Sequence, residues 1–422
     1  MTILNWVAVV VIIATIAALI KRWETRLVLF TAGLILCIAA GNPMQALNSF
    51  AASMTKGGLI MAICAAMGFA FAMKYTKCDL HLVSLLSAPI KGLGIFLVPI
   101  CTALTMVINV AIPSAAGCSA AVGSTLIPVM LRAGISPAGS AAAVMMGTYG
   151  AVVSPGSAHN VYVANLAHME IMDFIAMHTP YSCLIYVIGI VGVLAMCLVL
   201  GDKGEATENI ETGDTKKVEQ IEKPNILFAF MPIFPVLLLI LGNSVLPVIK
   251  MGVAQAMVTG AIVTVLVTRC NPQEFTKSFF QGLGHGYANI MGIIIAAGVF
   301  VAGMKECGLI ATFIDVLRDS NDIARWGGAL GPWILGVITG SGDAATFAFN
   351  EAVTPHAADF GMQIDRLGAL AMFAGALGRT SSPIAGAMMV VCGIAMANPI
   401  EVAKRTAIPC FISVIVLALV LV

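Results

Sequence analysis

The chain has 422 residues, of which 59% are hydrophobic and only 10% charged, and its formal net charge is +1. Soluble domains carry about 25% charged residues, so most of this chain has a lipid bilayer for solvent, and the near-neutral balance excludes a nucleic-acid or other polyanion partner. The eleven cysteines stand singly among apolar residues, without metal-ligand spacing, and read as packing residues, as do the 24 methionines; no metal and no organic cofactor are expected.

A helix crosses about 30 Å of hydrocarbon with about 20 apolar residues. In chain order, apolar runs of that kind lie near Leu4–Ile20, Leu27–Ala40 and Gly58–Met73. A short amphipathic piece follows at Leu80–Ile90, with Leu80, Val83 and Leu86 at helical spacing, suited to the interface plane. The next apolar region, Leu93–Leu131, is too long for one helix and is interrupted at Pro113-Ser114-Ala115-Ala116-Gly117, which predicts two half-length helices meeting inside the membrane as a re-entrant hairpin. Ala138–Leu166 is interrupted in turn at Gly147-Thr148-Tyr149-Gly150 through Ser154-Pro155, and Tyr181–Leu200 closes the first half. After the polar stretch Gly201–Lys223 the order recurs: Ile226–Leu241, Ala254–Val267, Ile290–Met304, an amphipathic Leu309–Leu317, a hairpin in Gly328–Ala358 broken at Gly340-Ser341-Gly342-Asp343, a broken helix in Leu367–Ala395, and Ala407–Val422.

The recurrence is a duplication. Ser114, Pro128 and Gly134 match Ser341, Pro355 and Gly361 at an offset of 227, and Gly147-x-x-Gly150-x-x-x-Ser154-Pro155 matches Gly375-x-x-Gly378-x-x-x-Ser382-Pro383 at 228. The expected fold is an all-α polytopic membrane protein of about ten crossings: a first repeat over 1–200 (hairpin about 93–131, broken helix about 138–166), a cytoplasmic linker over 201–224, and a second repeat over 225–422 (hairpin about 328–358, broken helix about 367–395). Five crossings on each side of the linker invert the second repeat relative to the first. About fifteen Lys and Arg residues fall on the face that includes Lys21, Arg22, Arg26 and the linker, against six on the other; the richer face is cytoplasmic, and both termini are then periplasmic.

Interrupted hydrophobic segments at matching places in two halves point to the binding site of a secondary transporter. Backbone groups at such breaks lose their intrahelical partners and must be met by a cavity, water or ligand. The side chains expected there are the hydroxyls of Ser114, Ser119, Thr148, Ser154, Ser157, Ser341, Thr346, Thr380, Ser381 and Ser382, the Asn160 amide and the Gly342 backbone. Arg379 stands mid-segment, where a cation is costly unless paired or facing water, and its planar fork fits a carboxylate; the competing reading is a fixed ion pair with Asp343 or Glu351. Asp343, at a hairpin tip, suits a coupling cation or proton, and Glu351 and His159 are lesser candidates. Gly340-Ser341-Gly342-Asp343 also matches the Gly-x-Gly-Asp signature of intramembrane aspartyl proteases, but that chemistry needs two carboxylates in one site, and no second midplane Asp appears.

The segments Thr339-Gly340-Ser341-Gly342-Asp343-Ala344, Leu377-Gly378-Arg379-Thr380-Ser381-Ser382-Pro383 and Glu401-Val402-Ala403-Lys404-Arg405-Thr406-Ala407-Ile408-Pro409 resemble the DcuC family of anaerobic four-carbon dicarboxylate transporters, within the ion-transporter superfamily. The resemblance implies exchange or export of succinate, fumarate or malate across a bacterial inner membrane, by a homodimer working through an elevator motion. Neither hairpin tip carries the superfamily's Ser-Asn-Thr sodium motif, which leaves Na+ and H+ both open as coupling ion. The other readings on this scaffold are transport of a different organic anion and cation/proton antiport.

Overall fold

The computed structural model describes residues 3–21, 23–87, 94–203, 223–310, 312 and 321–422. Most of the predicted linker, residues 88–93 and most of the second amphipathic piece lie outside these. The described residues are helical with no named β-strand; a single antiparallel bridge joins Ile135 and Lys203.

The first half runs α1 Ile3–Ile20, α2 Thr25–Ala39, α3 Pro43–Ser53, α4 Gly57–Thr76, α5 Cys78–Ser87, α6 Leu97–Ala111, α7 Ala115–Arg132, α8 Pro137–Gly147, α9 Ala158–Leu166 and α10 Ile171–Val199. The second runs α11 Ile226–Phe230, α12 Phe234–Ser244, α13 Val253–Thr268, α14 Pro272–His285, α15 Gly292–Glu306, α16 Asn321–Thr339, α17 Gly342–Ala352, α18 Ile364–Ser381, α19 Gly386–Ala395 and α20 Pro399–Val420. Among the described residues, six helical stretches have the length and composition to cross a membrane: Gly57–Thr76, Gly94–Ala111, Ala115–Arg132, Ile171–Val199, Pro272–Glu306 and Pro399–Val420.

Both interruptions predicted in each half are present. Helix α6 turns into α7 at Ile112–Ser114, and α16 into α17 at Gly340–Ser341; α8 and α9 are separated by a 3-10 turn at Gly150–Val153, and α18 and α19 by Ser382–Ala385. The hairpin limbs differ from the half-length helices expected. Gly94–Ala111 and Ala115–Arg132 each carry 18 helical residues, whereas α17 stops after 11 and passes into a 3-10 segment, Thr354–Phe360. The repeat-related prolines explain the difference: Pro128 is accommodated inside α7, while Pro355 stands at the start of the 3-10 segment.

Helices α3 and α14 extend the duplication beyond the apolar runs. Asn42-Pro43 and Asn271-Pro272 open them, an Asn N-cap followed by Pro at the first helical position. Each is followed by an irregularity, a turn at Met54–Lys56 before α4 and a π-helical stretch at Gly286–Met291 before α15.

The two halves interlock. Helices α14 and α15 pack against α4 and α2, forming one group with α1, α3 and α13. The hairpins, broken helices, α10 and α20 form the other, in which α9 packs on α17 and α18 of the second half, and α19 on α7 and α8 of the first. That exchange carries all four breaks to one place. Close approach depends on glycine: a Cβ on Gly150 would stand 2.2 Å from the Met106 carbonyl oxygen, and one on Gly378 would stand 2.3 Å from that of Trp333.

Candidate functional site

Both hairpin tips and both helix breaks line one cavity of about 480 Å³, within the roughly 300–1,000 Å³ common for small-molecule sites. Each break presents the first turn of a helix to it: Ser114–Ala116 of α7, Ser157–His159 of α9, Ser341–Asp343 of α17, and Gly386–Ala387 of α19. Two of these ends are capped by side chains, Ser114 Oγ accepting from Gly117 N at 3.2 Å and Ser341 Oγ from Ala344 N at 3.4 Å; those of α9 and α19 have no side-chain cap. Unsatisfied N–H groups at helix N-termini and the partial positive charge there favour an anion.

Arg379 projects from the last turn of α18 into this space. It donates from Nη1 to Thr148 Oγ1 at 3.3 Å and from Nη2 to the Thr148 carbonyl at 3.0 Å, at the C-terminal end of α8, and no carboxylate lies within 4.0 Å of it among the described residues. Neither ion pair anticipated for it is formed. Asp343 pairs instead with His159, Oδ1 to Nε2 at 2.9 Å, and Glu351 with Lys56 Nζ at 2.8 and 3.1 Å and with the Tyr162 hydroxyl. Both exchanges are tertiary: Asp343 and His159 belong to different halves, and so do Glu351 and Lys56. The Asp343 side chain is half exposed to the cavity, while the His159 ring stacks on Phe347 at 4.7 Å and keeps a buried Nδ1 that has no hydrogen-bond partner among the described residues.

Of the residues picked from sequence, the structure brings Ser114, Thr148, Ser157, Ser341, Gly342, Asp343 and Arg379 to the cavity wall, with His159 beside them. Ser119, Ser154, Asn160, Thr346, Thr380, Ser381 and Ser382 are buried and do not line it. Several are occupied with backbone: Thr346 Oγ1 donates to Ala371 O, Thr380 Oγ1 to Ala376 O and Ser381 Oγ to Leu377 O, while Ser382 Oγ accepts from Ile384 N. Asn160 is a brace for the first break, its Nδ2 donating to both Val152 O and Ser154 O at 2.8 Å, with His178 behind its Oδ1 at 3.3 Å. Tyr186 Oη donates to Gly150 O and Ala151 N to Asn109 Oδ1. The backbone freed at the first break is therefore largely satisfied by protein. The second break has fewer such partners, Ser382 Oγ on Ile384 N and Thr406 Oγ1 on Thr380 O.

Sequence reading missed the opposite wall, formed by Glu24 and Arg26 ahead of and within α2, Met67 of α4, and His285, Asn289, Ile290 and Ile293 around the π-helical stretch. None of these is repeat-related to a break. The one available signal was the pair of ionisable residues, Glu24 and Arg26, at the edge of an apolar run.

A protease reading has no support in this geometry, because the partner of Asp343 is an imidazole and the other carboxylate lining the cavity among the described residues, Glu24, is paired with Arg26 at the start of α2. The chain matches the family described as DcuC, C4-dicarboxylate anaerobic carrier, over residues 4–422. It is similar to an uncharacterized transporter of Haemophilus influenzae, 43% identical over 64% of this chain and 99% of that protein. It is also similar to the anaerobic C4-dicarboxylate transporter DcuC of Escherichia coli K12, 26% identical over 97% of this chain and 94% of that protein, and to a DcuC-type transporter of Vibrio cholerae, 27% identical over 94% and 92%. Two hairpins and two broken helices closing on one cavity are the architecture of a carrier rather than an enzyme, and with a family match running from residue 4 to the C-terminal residue, this chain belongs to the DcuC family of C4-dicarboxylate anaerobic carriers.

Proposed function

We propose that this protein carries a small dicarboxylate such as succinate, fumarate or malate across a bacterial inner membrane, by exchange or export. The observation that carries the reading is Arg379: a guanidinium reaching a cavity ringed by four helix N-termini, held in place by Thr148 and free of any carboxylate within 4.0 Å among the described residues. Of its five N–H donors, two are spent on Thr148, leaving the rest for a substrate carboxylate. The uncapped ends of α9 and α19, at Ala158–His159 and Gly386–Ala387 on the cavity wall, supply backbone N–H groups for the remainder of the anion.

Alternating access on this scaffold is an elevator motion in which the hairpins, broken helices, α10 and α20 move against the group built on α2, α4, α14 and α15, within a homodimer. Asp343, paired to His159 and half exposed to the cavity, is the residue proposed to carry the coupling Na+ or H+. With the basic face cytoplasmic, the termini are periplasmic and the wall that holds Arg26 belongs to the cytoplasmic side.

Arg379→Lys keeps the charge but loses the bidentate fork. In proteoliposomes, succinate exchange should show a KM raised about tenfold or more, the cost of one to two charge-assisted hydrogen bonds, with the melting temperature close to wild type. Wild-type KM in the Arg379→Lys variant overturns the assignment of Arg379 to substrate.

A further inference from the structure

The cavity is lined by two arginines, one on each wall. Arg379 stands among the helix breaks; Arg26 lines the same cavity from the other group of helices, in the first turn of α2. Arg26 is held as carefully as Arg379. Its Nε donates to Glu24 Oε1 at 2.5 Å, its Nη1 donates to the Ala288 carbonyl at 2.7 Å, and its stem lies over Gly292, where a Cβ would come within 2.9 Å of the Arg26 Cδ. The Ala288 carbonyl belongs to the π-helical stretch Gly286–Met291, and such wide turns interrupt helices mostly at functional places. Glu24 is itself fixed, since its Oε2 accepts from Leu27 N at 2.7 Å as the N-cap of α2. Among the described residues no acceptor faces Arg26 Nη2.

We infer that Arg26 is the residue that distinguishes a dicarboxylate from a monocarboxylate, by receiving the second carboxylate from across the cavity while Arg379 holds the first. The inference rests on the dicarboxylate reading above and deepens it. A diacid carries charge at both ends and a monoacid at one, so a second guanidinium on the opposite wall adds binding energy for the diacid alone. Glu24 acts as a resident competitor: it accepts from Arg26 Nε and yields that donor to an incoming carboxylate. Because Arg26 lies in the group that does not carry the breaks, this contact exists only while the two walls face each other as they do in this arrangement, and substrate that travels with the breaks leaves it behind.

The test is binding by calorimetry to purified full-length protein, with succinate and butyrate as a matched diacid and monoacid. Arg26→Gln should weaken succinate about tenfold while leaving butyrate within about twofold of wild type, and Glu24→Gln, which can still cap α2, should tighten succinate by about threefold or more. A wild-type succinate-to-butyrate ratio in folded Arg26→Gln overturns the inference. If Arg26→Gln does not fold, Glu24→Gln decides, and unchanged succinate affinity there also overturns it. Failure of the underlying reading looks different: wild-type protein would bind neither acid, or Arg379→Lys would leave both affinities untouched.

Discussion

Asp202 and Arg405 show how a single pair of side chains fixes helix ends that are distant in sequence. Arg405 donates to both Asp202 oxygens at 2.6 Å, the two side chains are only 2% and 7% exposed, and Ser136, the N-cap of α8, donates to Asp202 Oδ1 at 2.6 Å while accepting from Gly139 N. The end of α10, the start of α8 and the first turns of α20 are tied at that point. Burial pushes the Asp202 carboxyl upward, but the hydrogen bonds from Arg405, Ser136 and Cys197, with the Arg405 charge, outweigh it and hold the group below the ordinary carboxylate range. A carboxyl lowered on folding contributes stability above its ordinary pKa of about 3.9 and loses it as pH falls through the lowered value. The melting temperature of the wild type should therefore drop in acid below about pH 4. Asp202→Asn should melt lower at neutral pH, because the buried guanidinium loses its nearer carboxylate and keeps only Glu401 Oε2 at 3.5 Å, at a cost of up to about 3–5 kcal/mol, and should lack that part of the acid dependence; an equal acid slope in both proteins would assign the effect to another group.

Among the elements, the two helix breaks are chemically unequal despite their common origin. The first is braced by Asn160, Tyr186 and Asn109, with His178 behind Asn160, and has little backbone left to offer a ligand. The second is left to Ser382 and Thr406 and sits against the tip of the hairpin in its own half, where Gly340 takes a positive φ of 72° and a Cβ would meet the Ile384 carbonyl at 3.0 Å. The first break is thus a braced platform beside Thr148 and His159, while the second leads into the uncapped first turn of α19, whose Gly386 and Ala387 line the cavity. Asn160→Ala strands two buried carbonyls, each costing about 1–3 kcal/mol. The expected result is a clearly lower melting temperature with a succinate KM near wild type in the surviving folded protein. A raised KM with unchanged melting would return Asn160 to the substrate, as its place in the sequence first suggested.

Across the whole molecule, the two groups of helices touch on one side of the cavity through Lys56, Glu351 and Tyr162. Lys56 precedes α4, Glu351 lies near the end of α17, the second limb of the second hairpin, and Tyr162 on α9, and their side chains are partly buried where these elements meet. Lys56 occupies the turn between α3 and α4, which corresponds by repeat to the region around His285 that lines the open cavity. The first joint is closed by an ion pair, whereas His285 at the corresponding place lines the cavity. If the cluster latches the closed side, Lys56→Gln combined with Glu351→Gln, which removes both charges together, should speed labelling of a cysteine at position 341 by an impermeant thiol reagent added from the periplasmic side, by about fivefold if roughly 1 kcal/mol of bias is lost. Unchanged labelling in the double variant would show that the pair only packs.

Composition and periodicity determined what each segment becomes. Low charge placed the chain in the bilayer, and the duplicated Ser-Pro-Gly and Gly-x-x-Gly patterns marked both hairpins and both breaks, because glycine, serine and proline interrupt an apolar run wherever it folds. Arg379 was legible for the same reason: a lone cation in a hydrophobic segment has few explanations. Partner choice was not legible. Asp343 pairs with His159 across 184 residues and Glu351 with Lys56 across 295, and which of several charges meet depends on how the halves interlock, not on local pattern. Helices α3 and α14, with their Asn-Pro starts, escaped an apolar-run reading because their faces are mixed. The wall that holds Arg26 and Glu24 was decided by tertiary structure alone: their place at the end of an apolar run is that of an ordinary interfacial pair, and only the packing of α2 against α15 carries them to the cavity opposite Arg379.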